Sequence, residues 1–243
     1  DLIDELIREG ISFSQGHDAA NVPRDVTRVI YSAAAGKHNP ELIAARRLGR
    51  PVESYAHALG RLTRQYETIA VSGSHGKSTT TALLGLILVE AGLDPTVIVG
   101  TKLKEFGGKN FRRGQSKYLV VEADEWNKSF HQYSPQIAVI TNIDKEHLDT
   151  YGTFLGVVRG FARYFRNLRK GGLLVVNAKD KELYELGKRI EAQKKVRVVF
   201  YNEKKIAHHD LGVPGVHNQM NAEAAFQAWK VIAAEAGISA PIM

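Results

Sequence analysis

The sequence contains no cysteine, which excludes disulfide bonds and thiolate metal sites and fits a reducing compartment. It contains no apolar run that approaches the roughly 20 residues of a membrane-spanning helix, and its first residues lack a signal-peptide pattern. With 44% hydrophobic and 24% charged residues, the composition is that of an ordinary globular protein. We therefore expect no membrane partner.

Basic residues outnumber acidic ones by 33 to 26, which gives a net charge of +7. They are dispersed along the chain apart from short clusters such as Lys102 with Lys104 and Arg112 with Arg113. Nucleic-acid binding requires a concentrated basic surface, so we expect no nucleic-acid partner and favour an anionic small substrate. The 243 residues suffice for one large domain or two smaller ones.

One stretch organises the rest of the chain. Residues 69–71 are Ile-Ala-Val, which favours a short buried strand. Gly-Ser-His-Gly follows at 73–76 and leads through Lys77 into the apolar segment 82–91, which predicts a buried helix closed by Gly92. A strand, a glycine loop, a Lys-Ser pair and a helix are typical of a phosphate-binding loop.

In such a loop the backbone N–H groups and the positive helix end face the phosphates. Lys77 would reach the outer phosphates, and Ser78 would contact Mg²⁺. The commonest spacing requires glycine at position 71, where this chain has valine. An ordinary glycine turn before a helix is therefore the alternative interpretation.

After this loop the sequence alternates between short apolar runs and helix-forming segments. Continuous apolar strands separated by helices indicate the α/β class, with a mostly parallel sheet flanked by helices. In such sheets the ligand site lies at the carboxyl ends of the strands. The glycine-rich basic segment 102–116 predicts an exposed loop or a hairpin. Strands are predicted at 96–99, 118–121, 137–140, 173–176 and 196–201, and helices at 154–168, 181–193 and 217–235.

The first 64 residues show the same alternation without an obvious beginning. We interpret 1–64 as the tail of an α/β domain that lacks its first strand and glycine turn, and 65–243 as a nucleotide-binding domain. A self-sufficient N-terminal subdomain is the alternative. The predicted elements are helices at 1–8 and 55–63, a helix opened by Asn39 and Pro40, and strands at 11–13, 26–31 and 52–54.

Three acidic residues, Glu122, Asp124 and Glu125, follow the strand predicted at 118–121. Glu122 comes directly after the strand and is the better candidate for a hard oxygen ligand to nucleotide-bound Mg²⁺ beside Ser78. Asp124 and Glu125 are weaker candidates for a direct role. A solvated acidic loop is the alternative for all three.

Histidine and asparagine residues supply the remaining candidates. His147 closely follows a predicted strand and has acidic neighbours that could orient its ring, although a lone histidine is commonly a surface residue. His217, Asn218 and Asn221 share one face of the final helix, and amide side chains suit a purine or a ribose. Ordinary N-capping by Asn218 is the alternative.

Four motifs in this order resemble those of the Mur ligases, the ATP-dependent amide-forming enzymes of peptidoglycan synthesis. Among these enzymes, His75 and the Glu-Ala-Asp-Glu string are most similar to the members that join L-alanine to UDP-N-acetylmuramate. Members have three domains. The resemblance therefore implies that 1–64 is the C-terminal part of a Rossmann-like domain that binds the UDP substrate, that 65–243 is the central ATP-binding domain, and that this chain lacks the start of the first domain and all of the third. The motifs are Gly-Ser-His-Gly-Lys-Ser-Thr-Thr at 73–80, Glu-Ala-Asp-Glu at 122–125, Thr-Asn-Ile-Asp-Lys-Glu-His-Leu-Asp at 141–149 and Gly-Val-His-Asn-Gln-Met-Asn-Ala at 215–222.

The resemblance implies a cytoplasmic ligase that uses ATP and Mg²⁺ and takes the small-molecule substrates UDP-N-acetylmuramate and L-alanine. It implies catalytic roles for Lys77, Glu122 and His147, and metal contacts from Ser78, Glu122 and His147. It also implies nucleotide contacts from Gly73, Ser74, His75, Gly76, Lys77, Ser78, Thr79, Asn142, His217, Asn218 and Asn221.

The sequence departs from the family pattern at two places. Ser78 stands where threonine is commoner and keeps the hydroxyl, whereas 126–128, Trp-Asn-Lys, stand where smaller and more acidic residues are expected. The second departure leaves the identity of the joined amino acid open. Two other classes remain: a nucleotide-hydrolysing or kinase-like enzyme of another family, and a module that binds nucleotide without turnover. We expect the 243-residue chain alone to bind nucleotide and to show little or no ligase turnover.

Overall fold

The computed structural model describes residues 2–202 and 215–239. Its contacts divide the chain into two compact units, Asp1–Ala58 and Leu59–Met243. The division falls inside the helix Tyr55–Thr63, so the domain boundary expected after residue 64 stays a prediction. Within the described ranges, no helix is long and apolar enough to cross a bilayer.

The first unit contains two short strands that pair in parallel. Val29 of the first strand lies beside Val52 of the second. The side chain of Asn39 accepts a hydrogen bond from Glu41 N at 2.9 Å, which confirms the predicted start of the helix between the strands. The elements are α1 (Leu2–Arg8), a 3-10 turn (Ala19–Asn21), β1 (Val29–Tyr31), α2 (Pro40–Arg47), β2 (Val52–Ser54) and the beginning of α3 (Tyr55–Thr63).

Two strand predictions in this unit need correction. The strand predicted at 11–13 is wrong, since these residues are irregular and exposed. The strand predicted at 26–31 forms only from Val29 onward. In the described part of this unit only β1 and β2 pair, and an apolar run becomes a strand only where a neighbouring strand completes its hydrogen bonds.

The second unit is built on a seven-stranded sheet in the order β5-β4-β6-β3-β7-β8-β9. All neighbouring strands are parallel except β4 and β5, which form an antiparallel hairpin; only its turn and β5 lie fully within the segment 102–116 predicted to be a loop or a hairpin. This sheet confirms the predicted α/β class. The strands are β3 (Glu67–Ser72), β4 (Thr96–Leu103), β5 (Lys109–Arg112), β6 (Tyr118–Glu122), β7 (Ile137–Ile140), β8 (Leu173–Asn177) and β9 (Arg197–Tyr201).

Helices cover both faces of this sheet. Ile69 and Val71 of β3 belong to the core that also contains residues of α4 and α8, whereas Ala70 belongs to the core that contains residues of α6 and α7. Because successive strand residues point to opposite faces, a sheet buried on both sides requires continuous apolar runs. The helices are α4 (Lys77–Glu90), α5 (Leu148–Tyr151), α6 (Phe154–Phe165), α7 (Lys181–Ala192) and α8 (Val216–Ala236).

The strand order places three chemically equipped strand ends side by side. β3 lies between β6 and β7, with Val71 paired to Glu122 and Ser72 paired to Ile140. Because these strands are parallel, the segments that follow them leave the sheet at the same edge. The fold therefore brings the predicted phosphate loop, the acidic string and the His147 segment to one place.

Candidate nucleotide-binding site

The loop between β3 and α4 has a backbone shape that only glycine tolerates at two positions. Gly73 has a φ of +133° and Gly76 a φ of +83°, in the region that favours glycine. A Cβ atom on Gly73 would collide with Thr141 Oγ1, and one on Gly76 would collide with the side chain of Asn221. Backbone conformation thus favours glycine at both positions, close backbone neighbours also require it at Gly73, and an alanine at Gly76 would displace the buried amide of Asn221.

Residues that follow β7 hold this loop in place. The Asn142 amide accepts a hydrogen bond from His75 N at 2.9 Å and donates one to His75 O at 2.9 Å. The Asn142 carbonyl accepts from Ser74 N at 3.1 Å, and the Ser74 hydroxyl accepts from Asp144 N at 2.8 Å. Thr141 Oγ1 donates to His75 O at 2.5 Å. The side chains of Ser74 and Asn142, expected at the nucleotide, are thus engaged in fixing the loop.

Lys77 lies across the loop that it terminates. Its Nζ donates to the carbonyl of Gly73 at 2.7 Å and to that of Ser74 at 3.3 Å. Nζ also lies 3.1 Å from Glu125 Oε1, and the Glu125 residue is only 1% exposed. Burial raises the pKa of the Glu125 carboxyl, while the charge of Lys77 opposes this rise.

Glu125 is the site residue whose importance the sequence analysis underestimated. Its Oε1 lies 3.6 Å from His147 Nε2, and its backbone carbonyl accepts a 2.7 Å hydrogen bond from the Tyr151 hydroxyl. Its Oε2 is buried without a hydrogen-bond partner. Asp124, Glu125 and His147 each offer one potential ligand atom, and these three atoms lie within 4.8 Å of one another. Two carboxylates and an imidazole at such distances could hold a divalent cation.

A periodic signal could have identified Glu125. Burial alternates beyond the end of β6, with Val121, Ala123 and Glu125 buried and the residues between them more exposed. Ala123 N donates to Val71 O at 2.7 Å, so strand-like pairing continues past Glu122. The small apolar Ala123 between two acids therefore indicates that Glu125 points inward.

The side chains of Ser78 and Glu122 lie within hydrogen-bonding distance of each other. The Ser78 hydroxyl donates to Glu122 Oε1 at 3.1 Å, and Gly100 N donates to Glu122 Oε2 at 2.7 Å. A Cβ atom on Gly100 would lie 2.9 Å from Oε2, so a larger residue there would shift the carboxylate. A hydroxyl and a carboxylate at this distance are hard oxygen ligands of the type that Mg²⁺ prefers.

Backbone strain is concentrated near the cluster of Asp124, Glu125 and His147. Five non-glycine residues in the described ranges have positive φ, and three of them, Asn127, Lys128 and His147, lie in the segments that follow β6 and β7. Left-handed backbone at a non-glycine residue costs about 1–2 kcal/mol. Such strain is commonest where a side chain must be aimed, which supports a functional role for this region.

The final helix contributes one of its three predicted residues directly to the loop. Asn221 is buried beside Gly76, Asn218 is half-buried, and His217 is exposed with its ring near Gly215. The N-cap of α8 is Gly215, without a side-chain capping bond, so Asn218 does not cap the helix. The alternative interpretation of Asn218 is therefore wrong.

The remaining predicted loop residues lie on the outer side. His75 is exposed, with Nε2 3.4 Å from Asp144 Oδ2 and Nδ1 3.8 Å from Glu146 Oε1. A backbone hydrogen bond from Lys145 N, followed by the His75 bond, lowers the pKa of Asp144. Thr79 is half-buried in the first turn of α4.

A cavity of about 800 Å³ lies elsewhere, between α4, the β4–β5 hairpin and the end of α8. Its lining is mostly apolar and includes Leu86, Phe106 and Trp229. None of the predicted site residues lines it. The polar groups at the strand ends, and not this cavity, therefore define the candidate site.

Two family models match the chain. The Mur ligase middle domain matches residues 71–210, and the Mur ligase family catalytic domain matches residues 1–67. Both N-terminal and central segments of the chain are thus covered by descriptions of one family.

Individual relatives are similar over nearly the whole chain. The UDP-N-acetylmuramate–L-alanine ligase of Desulforamulus reducens is 37% identical, over 92% of this chain and 53% of the relative. That of Aquifex aeolicus is 38% identical, over 96% of this chain and 55% of the relative. The chain therefore spans about half the length of the curated relatives it matches.

Solved structures show the same fold. The UDP-N-acetylmuramate-alanine ligase of Thermotoga maritima superposes with a TM-score of 0.78 at 29% identity, over 93% of this chain and 56% of that one. The UDP-N-acetylmuramate:L-alanyl-gamma-D-glutamyl-meso-diaminopimelate ligase from Neisseria meningitides reaches a TM-score of 0.83 at 23% identity, over 94% of this chain and 82% of that one. At that identity the second likeness concerns the fold alone.

Proposed function

The chain belongs to the Mur ligase family, and from this premise we propose that it forms part of an ATP-dependent ligase that joins L-alanine to UDP-N-acetylmuramate. The observation that supports this most directly is the arrangement of Lys77 in a glycine loop with Glu125 at 3.1 Å and the Ser78–Glu122 pair beside it. Relatives with that named activity resemble nearly the whole chain.

The proposed nucleotide contacts begin at the phosphate loop. The backbone N–H groups at 73–76 and the N-terminal end of α4 would face the phosphates of ATP. Lys77 would exchange the loop carbonyls and Glu125 for phosphate oxygens, since its ammonium already lies at the loop. His75 and Thr79 would contact phosphate oxygens, and His217, Asn218 and Asn221 would lie by the adenine and ribose.

The acidic groups fit divalent cations. Ser78 and Glu122 would hold one Mg²⁺, and His147 with Glu125 and Asp124 would hold a second ion. The buried Glu125 Oε2 without a hydrogen-bond partner supports this assignment, because a cation would satisfy it. Bound Mg²⁺ would supply charge neutralisation on the transferring phosphoryl group.

The chemistry follows from the poor reactivity of a carboxylate toward amines. Attack of the substrate carboxylate on the γ-phosphorus of ATP gives an acyl phosphate and ADP. The amino acid amine then adds to the acyl carbon, and collapse of the tetrahedral intermediate releases phosphate and forms the amide. Lys77 would stabilise charge on the transferring group, and the loop would align it with the attacking oxygen.

Product analysis tests this proposal against its two alternatives. The assay contains UDP-N-acetylmuramate, L-alanine and Mg-ATP, and follows ADP, phosphate and amide. For the joined protein described in the next paragraph, we expect all three products in equal amounts. A stable phosphoester with ADP would indicate a kinase-like enzyme, and nucleotide binding without any turnover would indicate a binding module.

Because the relatives are about twice as long as this chain, turnover is measured on two proteins. One is the chain alone, and the other is the chain joined to the parts of the Aquifex aeolicus relative that lie outside the match. We expect amide formation by the joined protein and little by the chain alone, because three substrates must be held in line. Robust amide formation by the chain alone would contradict this expectation.

A further inference from the structure

One carboxylate outside the described site is tied to it. Asp180 follows β8 and is the N-cap of α7, where its Oδ1 accepts a hydrogen bond from Leu183 N at 2.9 Å. Its Oδ2 accepts a second hydrogen bond, at 2.7 Å, from Ile143 N. Helix capping uses only one of the two oxygens, so the second bond requires a separate explanation.

Ile143 lies between the two residues that hold the phosphate loop. On one side, Asn142 makes two amide hydrogen bonds with the His75 backbone at 2.9 Å. On the other side, Asp144 N donates to the Ser74 hydroxyl at 2.8 Å. The backbone unit fixed by Asp180 is therefore the one from which the phosphate loop is held.

A second bond from the same turn supports this link. Asn177 Nδ2, at the end of β8, donates to Thr141 O at 3.0 Å. Thr141 in turn donates through Oγ1 to His75 O. The turn between β8 and α7 thus fixes the segment after β7 at two points, and the same segment continues to His147.

The chemistry of the position favours a carboxylate. Both partners of Asp180 are backbone N–H donors, and each carboxylate oxygen accepts one of them. An asparagine has a single acceptor oxygen and would turn its NH₂ group toward one donor. A serine can still cap the helix, but its one short hydroxyl cannot serve both N–H groups.

We propose that Asp180 is a positioning residue for the phosphate loop, acting through Ile143, Asn142 and Asp144. It does not contact the nucleotide, and its effect on nucleotide binding rests on the proposed function. Removal of its second hydrogen bond loosens the segment after β7 and, with it, the Ser74 and His75 amides.

The test compares Asp180→Ser and Asp180→Asn with a matched control, Thr153→Ala. Thr153 caps α6 by accepting a 3.1 Å hydrogen bond from Gly156 N and lies outside the loop network. Hydrogen exchange of the peptide containing 73–76 is measured without nucleotide, and the affinity for a non-hydrolysable Mg-ATP analogue is measured by calorimetry. Thermal unfolding of each variant monitors the loss of a helix cap.

Both Asp180 variants are expected to exchange faster at 73–76 and to bind the analogue roughly fivefold or more weakly, because the net contribution of one intramolecular hydrogen bond, about 1 kcal/mol, corresponds to about fivefold in an equilibrium constant. Asp180→Ser should unfold no earlier than Thr153→Ala, because it keeps a cap. Thr153→Ala should exchange faster only at the start of α6, with unchanged affinity.

Unchanged exchange at 73–76 in both Asp180 variants would overturn the proposal. Equal changes there in Thr153→Ala, or unfolding of both Asp180 variants where Thr153→Ala stays folded, would assign Asp180 a general structural role and also overturn it. If the wild-type chain fails to bind the analogue, the proposed function is wrong, while the exchange comparison still decides the role of Asp180.

Discussion

Lys77 and Glu125 form an ion pair that joins the glycine loop after β3 to the segment after β6, with Nζ 3.1 Å from Oε1. The lysine side chain is 14% exposed and that of the glutamate 1% exposed. The Lys77 ammonium thus has three oxygen partners at the loop: the Glu125 carboxylate and two backbone carbonyls. A phosphate group would compete with these oxygens for the same ammonium.

Lys77→Ala should weaken binding of a Mg-ATP analogue by an order of magnitude or more. A charge-assisted hydrogen bond to phosphate contributes roughly 1.5–3 kcal/mol, and alanine removes it. Calorimetric titration measures the change. The control is Lys117→Ala. Lys117 directly precedes β6, at the amino ends of the strands and away from the loop, and its Nζ lies 2.9 Å from Glu67 Oε1. Equal affinities of wild type and Lys77→Ala would show that this loop does not bind the phosphates of the nucleotide.

Glu122→Gln should raise the Mg²⁺ concentration needed for nucleotide binding more than it lowers thermal stability. Glutamine keeps the size of the side chain but loses the charge that a hard cation prefers. Nucleotide affinity is measured over a series of Mg²⁺ concentrations. The control is Glu67→Gln, at the amino end of β3 and so at the opposite end of that strand from the loop. A collapse of thermal stability with an unchanged Mg²⁺ dependence would show that Glu122 is structural.

Gly76→Ala should abolish tight nucleotide binding, whereas Gly92→Ala should not. Both glycines have positive φ, +83° and +73°, so each alanine has a strain of about 1–2 kcal/mol. A Cβ atom at Gly76 also collides with Asn221, whereas nothing lies within 4 Å at Gly92. Thermal unfolding and analogue titration of both variants separate strain from collision. Equal affinities in the two variants would refute the close packing of Asn221 on the loop.

His131 should make the stability of the protein depend on pH near neutrality. Burial lowers the pKa of His131 below 6.5, partly opposed by the 2.9 Å hydrogen bond from Nε2 to Gly160 O. Below pH 6.5 the unfolded chain therefore takes up a proton at His131 that the folded chain resists. The contribution of neutral His131 to the free energy of unfolding is complete above pH 6.5 and is lost as the pH falls through the pKa of His131 in the folded protein.

The matched variant is His131→Gln, whose amide can still donate to Gly160 O. On lowering the pH through 6.5, the thermal midpoint of the wild type should fall more than that of the variant. Parallel midpoints across this range would mean that His131 is not the responsible group.

Local sequence features were enough to predict the glycine loop between β3 and α4 and most of the elements. The glycines at Gly73 and Gly76, the cap at Asn39 and the apolar runs act over a few residues, so their effects can be inferred without the fold. The alternation of strands and helices likewise indicated a mostly parallel sheet and the edge at which ligands bind.

The sequence by itself determined most of the helices, the buried strands of the second unit and the candidate strand ends, because backbone conformation follows short-range steric and periodic rules. Only the tertiary structure decided which side chains meet. Lys77 pairs with Glu125, Asn142 clamps His75, and Asp180 holds Ile143, each across many residues of chain. These contacts depend on strand order and on the direction of each side chain at the sheet edge, which no local pattern specifies.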